Sequence, residues 1–563
     1  MISQQNYIME WNVLPDPLLL MIFKRLVVKD VVSCSEVCGN WNAICNDQLL
    51  WKHLLVRDLE IKPNNTQGGT IRPKLETKDF SWKEDYIRLM DCVPCVATQT
   101  LKEHTDEVLH VAFSHNGAEI ASCSRDNRII RWKKDINDEF RMHSHIDMKI
   151  YNWTTIVDAQ YNPSDTKLMA VGDIDNMQAD IAIFSIEKTI TLLCKLYGNP
   201  WYTMASWCND HYFIGGQHEW RGNSNYSSFW LCSTPNFLFR PTGDNEANLI
   251  TTSCLESDEE SLEECYSWKN DFMYKMQLLK LSTLHGNGNF VIVHSRKQFQ
   301  PDSVDWSDNE DIKTQAHLTT QLAGRRDKML FHKPSNVLDF SSQLRLDSCY
   351  HIVSESEDMP KIDQNVFSDT QLCMIFANGE WDFLPHQIAF YRITLDRLNS
   401  KNHSTKPEKV LEMNGIIIGM SLSPDEEFLF VNVRAWSYDR NELPARINHS
   451  KHFNKNIEIK TVNLKTFEVE KSLSGHKGFT QGENVFRLYL GVSQDYVSSG
   501  SEDGNAYIWD QHYGVLLSKL HHDACVNCIA FNPKDQEMCV TASDDHSIKV
   551  WSSKRKVRLK EAN

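Results

Sequence analysis

Hydrophobic residues near the N-terminus recur with the spacing of a helix. Four of them follow at intervals of four residues: Leu14, Leu18, Ile22 and Leu26. This spacing places them on one helix face, and Asp30 is a suitable N-cap for the helix that follows. The pattern predicts a domain of three short helices over residues 1–58. A core this small also predicts that the domain packs against a partner.

A segment of different character follows, over residues 59–97. It begins with a loop rich in Asn and Gly over residues 62–69. Trp82, Tyr86 and Leu89 then recur at helical spacing and predict one more short helix. We therefore expect a helical linker between the first domain and the rest of the chain.

From Thr98 onward the pattern changes to the alternation of β-strands, and one motif recurs three times. Its members are a His, a hydroxyl residue, an Asp and a Trp: His104, Ser122, Asp126 and Trp132; His476, Ser499, Asp503 and Trp509; and His522, Thr541, Asp545 and Trp551. In each copy the Asp precedes the Trp by six residues and follows the hydroxyl residue by four. Trp509 and Trp551 are 42 residues apart, which is the period of a four-stranded propeller blade.

These residue types can form one hydrogen-bonded chain within a blade. A Ser, a His and an Asp also suggest a catalytic triad, but a triad occurs once, whereas this set recurs with each clear blade. The repeat therefore predicts structural tetrads in a mainly β fold. We expect a propeller of seven four-stranded blades over residues 98–553, with the strand near Thr98 completing the last blade.

The propeller region is longer than seven such blades require, so it must contain insertions. The first candidate is an acidic segment at 255–264, and the second is a charged, polar segment at 296–365. After the last blade a basic segment, 554–563, ends the sequence. It is either a solvated tail or a patch for nuclear import or for an acidic partner.

Composition and charge exclude some functions. Of the 563 residues, 41% are hydrophobic and 24% are charged, so extensive disorder is not expected. The net charge of −16 argues against a general binder of phosphate backbones. No secretory signal or membrane-spanning run is apparent, and the 16 cysteines lack framework spacing, so we expect reduced thiols.

Two cysteine pairs have the spacing of zinc ligands, namely Cys92 with Cys95 and Cys525 with Cys528. The second pair lies in a predicted strand, where positions i and i+3 point to opposite faces. For the first pair, the further candidate zinc ligands are His143 and His145, and they are weak candidates. Buried thiols are the favoured interpretation over a metal site, and no cofactor is expected.

An enzymatic function is the alternative from a different class, since propellers can carry hydrolases. The sequence contains no G-x-S-x-G motif, no Walker-type loop and no H-E-x-x-H motif. We therefore predict a non-catalytic protein.

Residues 11–51 closely resemble an F-box, on the strength of Leu14-Pro15, Val37-Cys38 followed by Trp41, and Leu50-Trp51 at the family's distances. Together with the WD40 repeats, the chain resembles the F-box/WD-repeat family. The resemblance implies that the F-box binds a Skp adaptor through these residues: Leu14, Pro15, Leu18, Ile22, Leu26, Val37, Cys38 and Trp41. An ordinary helical domain packed on the propeller remains the alternative.

The resemblance implies a substrate receptor of an SCF (Skp–cullin–F-box) ubiquitin ligase, whose propeller holds a protein for ubiquitination and degradation. It also implies a cytoplasmic location, with nuclear or centrosomal sites as further ones, and a role in centriole duplication. The rival is a scaffold or a receptor that binds a DDB-type adaptor of cullin-4 ligases through Trp-Asp-x-Arg. The best-placed copy here, Trp509-Asp510-Gln511-His512, lacks the Arg.

Family members hold substrates on the narrow propeller face, where the residue before each tetrad Asp points outward. These residues are Arg125, Glu502 and Asp544. A phosphate reader needs several converging cations, and this set has one cation and two anions. The sequence therefore predicts recognition of mixed or basic surfaces that does not depend on phosphate.

Overall fold

The fold is described from a computed structural model of the chain. The described residues are 14–61, 71–74, 80–175, 178–187, 190–197, 204–221, 224–234, 276–285, 287–296, 350–352, 371–379, 385–393, 407–436, 453–479 and 487–562. They form an N-terminal group of helices followed by a ring of β-sheets.

The N-terminal domain contains four helices, not the three that the sequence predicts. The helices are α1 (Asp16–Phe23), α2 (Val28–Ser35), α3 (Gly39–Cys45) and α4 (Gln48–Asp58). The extra break lies before α4, because the Asp47 side chain accepts hydrogen bonds from the Leu49 and Leu50 amides and so begins a new helix. The linker helix, α5 (Trp82–Asp91), is confirmed, and Ser81 caps it.

The helical domain and the linker helix share one apolar core. Leu19, Phe23 and Val31 come from the first two helices, and α5 adds Tyr86 and Leu89. All five are buried. The linker helix is therefore part of the helical domain's packing and not a free connection.

Twenty-nine strands follow within the described ranges. The first eleven are β1 (Pro94–Leu101), β2 (Val108–Phe113), β3 (Glu119–Ser124), β4 (Arg128–Lys134), β5 (Phe140–Asp147), β6 (Thr155–Tyr161), β7 (Lys167–Asp175), β8 (Gln178–Ser185), β9 (Thr191–Tyr197), β10 (Met204–Trp207) and β11 (Tyr212–Arg221). The next eleven are β12 (Ser224–Ser233), β13 (Met276–His285), β14 (Asn287–Arg296), β15 (Tyr350–Ile352), β16 (Gln371–Gly379), β17 (Gln387–Ile393), β18 (Lys409–Glu412), β19 (Gly415–Leu422), β20 (Phe428–Trp436), β21 (Phe453–Asn463) and β22 (Glu468–Lys477). The last seven are β23 (Leu490–Val492), β24 (Tyr496–Ser499), β25 (Asn505–Asp510), β26 (Leu516–His521), β27 (Val526–Asn532), β28 (Asp535–Ser543) and β29 (Ile548–Ser553).

The strands pair into sheets that we number along the chain. Sheet 1 is β2–β5, sheet 2 is β6–β9, sheet 3 is β10–β13 with β15, sheet 4 is β14 with β16–β18, sheet 5 is β19–β22, sheet 6 is β23–β26, and sheet 7 is β27–β29 with β1. The mainly β propeller behind an all-α domain is as predicted, but seven four-stranded blades are not.

The blade prediction is wrong because, among the residues that the structure describes, six sheets and not seven have the four-stranded form. Sheet 3 has five strands in the described chain, and β15 joins β13 in parallel, unlike the antiparallel pairs elsewhere. The strand β15 lies far beyond β13 in sequence, inside the segment 296–365 where the repeat period fails. The tetrad motif has no copy there to specify a regular blade.

The ring closes by pairing the two ends of the propeller region. Strand β1 pairs antiparallel with β29, from Pro94 opposite Ser553 to Leu101 opposite Ile548. The Gln99 side chain then bridges sheets 7 and 1, donating to the Phe140 carbonyl and accepting from the Phe140 amide. The predicted closure by the strand near Thr98 is confirmed.

The segments predicted as insertions fall largely outside the described residues. This applies to 255–264 and to all of 296–365 except Arg296, which ends β14, and β15. The basic C-terminal segment is a helix, α6 (Lys554–Ala562). Arg558 pairs with Asp91 at 2.9 Å, and Arg555 and Lys556 pair with Glu537 and Asp535. Acidic residues of the same chain therefore partner much of this basic patch.

Two of the three predicted tetrads are assembled. In sheet 1, His104 Nδ1 lies 2.9 Å from Asp126 and Nε2 lies 2.8 Å from Ser122 Oγ, which also accepts from Trp132 Nε1 at 2.8 Å. In sheet 7, the corresponding chain joins four residues: His522, Asp545, Thr541 and Trp551. Each chain ties the loop before a sheet to its second and third strands.

The third predicted tetrad does not form. His476 Nε2 bonds Asn432 of sheet 5 at 3.0 Å, and Asn432 in turn donates to Ser499 at 2.7 Å. Asp503 instead accepts from the Tyr507 hydroxyl at 2.7 Å. The other two copies have no hydroxyl two residues before the Trp, since Ile130 and Lys549 stand there. His476 Nδ1 is thereby left without a hydrogen-bond partner among the described residues.

The contrast between copies predicts unequal effects of the same substitution. Asp545→Ala removes the partner of buried His522 and should lower the free energy of unfolding by about 1–3 kcal/mol. Asp503→Ala, the matched control, removes no His partner and should cost less. Urea denaturation, monitored by tryptophan fluorescence, measures the free energy of unfolding of both variants. Equal losses would contradict the distinction between the two blades.

Burial of His476 predicts a pH dependence of stability. Burial lowers the pKa of His476 from 6.5 to about 3. The unfolded chain binds a proton at this position as pH falls below about 6.5, while the folded chain does not, so stability should decrease toward acid. His476→Gln should reduce that decrease between pH 7 and 4. An unchanged pH slope of the unfolding free energy would show that His476 is not its source.

Candidate functional sites

The helical domain exposes apolar residues on its first two helices and directly beside them. Half of the predicted adaptor-binding residues are exposed: Pro15, Leu18, Ile22 and Val37. The other half are partly buried: Leu14, Leu26, Cys38 and Trp41. The structure therefore divides one predicted set into surface residues and residues that support the surface.

The partly buried residues pack inside the domain. Leu14 and Leu26 lie against its core. The Trp41 ring packs edge-on against Phe23, with centroids 5.4 Å apart, and Trp41 Nε1 is buried without a hydrogen-bond partner among the described residues. Cys38 is extended and precedes α3. Substituting these residues would disturb the fold as well as any partner contact.

Sequence reasoning missed part of this surface. Met21 is 60% exposed and Val32 is 47% exposed, although both are apolar. Helix α1 is apolar on every side, so hydrophobic periodicity could not say which side faces the core. The structure buries Leu19 and Phe23 and leaves Leu18, Met21 and Ile22 outside. We call the exposed set Leu18, Met21, Ile22, Val32 and Val37 the apolar face.

The predicted substrate-face residues lie in equivalent turns of sheets 1, 6 and 7. Arg125 pairs with Glu107 at 2.8 Å, and Asp544 accepts from Asn527 at 2.6 Å. Glu502 accepts from the Phe479 amide at 2.6 Å and lies near Arg434, whose pKa burial lowers and Glu502 raises. Each of the three residues therefore already has a partner within the chain.

The turns of sheets 6 and 7 are neighbours, because the Val526 amide, next to Cys525, donates to the Ser501 carbonyl at 3.0 Å. Burial raises the pKa of the Cys525 thiol, and the carboxylates of Asp544, Glu502 and Glu107 raise it further. Burial, assisted by Asp544, also raises the pKa of Glu107. Glu107 and the exposed Phe479 belong to this surface, although sequence reasoning did not select them. The sequence did not predict a role for Glu107, because this residue lies before β2 and outside the turns that carry the tetrad Asp.

The Trp-Asp end of sheet 6 is covered by the linker. The Asp510 side chain has no exposed surface and bonds Arg88 at 2.8 Å. It also accepts from the Tyr513 amide at 2.6 Å, and His512 Nε2 lies 3.0 Å from the Arg72 carbonyl. The segment that resembles an adaptor motif thus contacts the chain's own Arg72 and Arg88.

Cysteines and acidic residues do not gather into a metal centre within the described ranges, where no group of three or more His, Cys, Asp or Glu side chains has the required proximity. Cys528 is buried in β27 and its thiol lies 3.4 Å from the Val111 carbonyl, whereas Cys525 lies before that strand. Burial raises the pKa of Cys92 and of Cys95.

None of the described helices has the length and apolar character needed to cross a bilayer.

Family comparisons match both parts of the chain. The F-box-like family matches residues 11–57. The family described as WD domain, G-beta repeat matches residues 95–133, 467–510 and 514–552. These segments correspond to the helical domain and to the three regions that carry the repeated motif. Members of such F-box/WD families are typically non-catalytic adaptors.

Similarity to individual proteins extends over the whole chain. F-box/WD repeat-containing protein 5 of Mus musculus is 31% identical over 585 residues, covering 98% of this chain and 95% of the relative. The Homo sapiens protein of the same name is 29% identical, covering 98% and 96%. GID complex subunit 7 of Schizosaccharomyces pombe is 35% identical over 107 residues, covering 19% and 21%. With an F-box, WD repeats and full-length relatives of the same organisation, the chain belongs to the F-box/WD-repeat family of substrate receptors.

Proposed function

We propose that the protein is the substrate-recognition subunit of an SCF ubiquitin ligase. The apolar face binds the Skp adaptor, which connects to the cullin scaffold, and the propeller binds the protein to be ubiquitinated. The observation that carries this proposal is the apolar face itself, formed on an F-box whose core is complete without it. The receptor contributes binding and positioning, and its partners in the ligase perform the chemistry.

The energetics of the apolar face favour a protein partner. Contiguous exposed apolar patches on soluble proteins mark interaction sites, and the centre of an interface is depleted of charge. Burying one large apolar side chain contributes about 1.5–3 kcal/mol. Several such side chains on α1, on α2 and just after α2 therefore favour binding to an apolar groove.

The alternative, a receptor for a DDB-type adaptor of cullin-4 ligases, has less support. That mode needs a free Trp-Asp-x-Arg end, but His512 replaces the Arg. Asp510 is buried beneath the linker and bonded to Arg88. An adaptor could reach Asp510 only by displacing residues that are packed against it.

Recognition on the propeller face is expected to rely on carboxylates. Glu107, Glu502 and Asp544 surround Cys525, and the nearby Arg125 is paired with Glu107. In these three described turns, a phosphate group would meet the carboxylates and a single cation that is already paired. We propose a degron with basic or mixed side chains that needs no phosphate.

The cellular role is proposed from the family resemblance alone. We propose that the receptor acts in the cytoplasm, with nuclear or centrosomal pools, and that it takes part in the control of centriole duplication. Identifying proteins that accumulate when the receptor is depleted, and that also bind the purified propeller, would test this role.

Substitution of the apolar face should abolish adaptor binding. Leu18→Glu with Ile22→Glu places two charges in a dry interface and should weaken binding to the Skp adaptor by at least about 100-fold. Val410→Glu is the matched control, because Val410 is an exposed apolar residue of β18 in sheet 4. Isothermal titration with purified adaptor measures both. Unchanged affinity of the double variant would refute the proposed interface.

Phosphatase treatment should leave substrate binding intact. Arg125→Glu removes the cation but retains the carboxylates, so a basic degron should bind at least as well as before. The measurement is capture of substrates by the purified receptor before and after dephosphorylation. If binding disappears with the phosphate and Arg125→Glu reproduces that loss, the receptor reads phosphate instead.

A further inference from the structure

Arg88 connects the linker helix to the propeller through buried ion pairs. Its Nε bonds Asp85 of the same helix at 2.7 Å, and its Nη1 bonds Asp510 of β25 at 2.8 Å. The Arg88 side chain is 16% exposed, and those of Asp85 and Asp510 are 5% and 0% exposed. One guanidinium thus uses two different nitrogens to hold two separate parts of the chain.

Further polar contacts surround this pair and cross the same boundary. The Tyr513 hydroxyl donates to Asp85 at 2.6 Å, and the Tyr496 hydroxyl donates to the Arg88 carbonyl at 3.2 Å. Lys74 of the linker pairs with Asp495 of sheet 6. Linker and propeller therefore share one network, in which Arg88 bonds carboxylates on both sides of the boundary.

Apolar packing crosses the boundary beside the network. Tyr513 is 3% exposed and belongs to the same buried core as Leu54, Leu55 and Leu89 of the helical region. Val515 and Leu517 of the propeller pack against that core as well. The core of the F-box thus continues into sheet 6. The burial of Tyr513, Val515 and Leu517 depends on how the F-box packs against the propeller.

We propose that Arg88 is a positioning residue that makes the F-box and the propeller one cooperative unit with a fixed relative orientation. The consequence for ubiquitin transfer rests on the proposed function, in which the F-box binds the adaptor and the propeller binds the substrate. The cooperative coupling itself does not rest on it. Loss of Arg88 leaves Asp85 and Asp510 buried without their common cation, which is strongly unfavourable.

Calorimetry of the full chain tests the coupling. The wild-type helical domain and sheet 6 should unfold in one transition, and Arg88→Met should split it, with the F-box melting first. Arg131→Met is the matched control, since Arg131 is a buried arginine paired with Glu119 at 2.5 Å inside sheet 1. It should lower the melting temperature without separating the F-box from sheet 6.

Hydrogen exchange gives an independent measurement. In Arg88→Met, protection of amides in α4 should fall by about 100-fold or more, while that of β25 should fall much less. Arg88→Lys retains the charge but not two separate donor directions, so it should recover only part of the protection. Tyr513→Phe, which removes one hydroxyl and keeps the ring, should give a smaller change of the same kind and remains informative if Arg88→Met does not fold.

The outcomes separate the coupling from the ligase function. If Arg88→Met and Tyr513→Phe leave one transition and equal protection in α4 and β25, Arg88 does not couple the two parts. If coupling is lost but ubiquitin transfer to a bound substrate is unchanged, the positioning role is refuted. If the wild-type chain binds no Skp adaptor, the proposed function fails, while the calorimetric result still decides the coupling.

Discussion

Pairing of β1 with β29 is the constraint on which the rest of the structure depends. A ring of sheets is stable only when its last edge is covered, and here the N-terminal strand of the propeller region covers it. This pairing brings the chain that enters the propeller next to the chain that leaves it. Helix α5 therefore ends beside the start of α6, where Arg558 pairs with Asp91. Closure of the ring thus determines where the linker lies.

The position of the linker in turn determines where the F-box lies. Once α5 is held at the edge of sheet 7, Arg88 meets Asp510 of the neighbouring sheet 6. The helices before α5 share its apolar core, so their orientation follows. The apolar face remains outside this packing. Closure, the ion pairs and the shared core together join the F-box and the propeller through contacts on both sides of the linker helix.

Charges that look available in the sequence are largely partnered within the chain. Arg125 is paired with Glu107, and basic residues of α6 are paired with acidic residues of β28 and α5. Such surface pairs contribute little to stability, but they change the charge that a partner meets. Glu107 adds a third carboxylate to the predicted substrate face and pairs with its one cation, Arg125. The face is therefore more acidic than the residues of its three turns suggest.

The sequence by itself determined the architecture, because that information is local and repeated. Leu-Pro, Val-Cys and Trp41 identified the F-box, and the spacing from His522 to Trp551 identified a blade. The sequence could not predict a hydrogen bond to a residue of another part of the chain. His476 bonds Asn432 and not the members of its expected tetrad. Nor could it tell Leu18 from Leu19, since α1 is apolar on every side and only packing into the shared core of the domain decides which residues are buried. Tertiary structure alone likewise decided the count of regular blades, because β13 and β15 lie too far apart in sequence for a local pattern to link them. The same is true of the contact between Arg88 and Asp510.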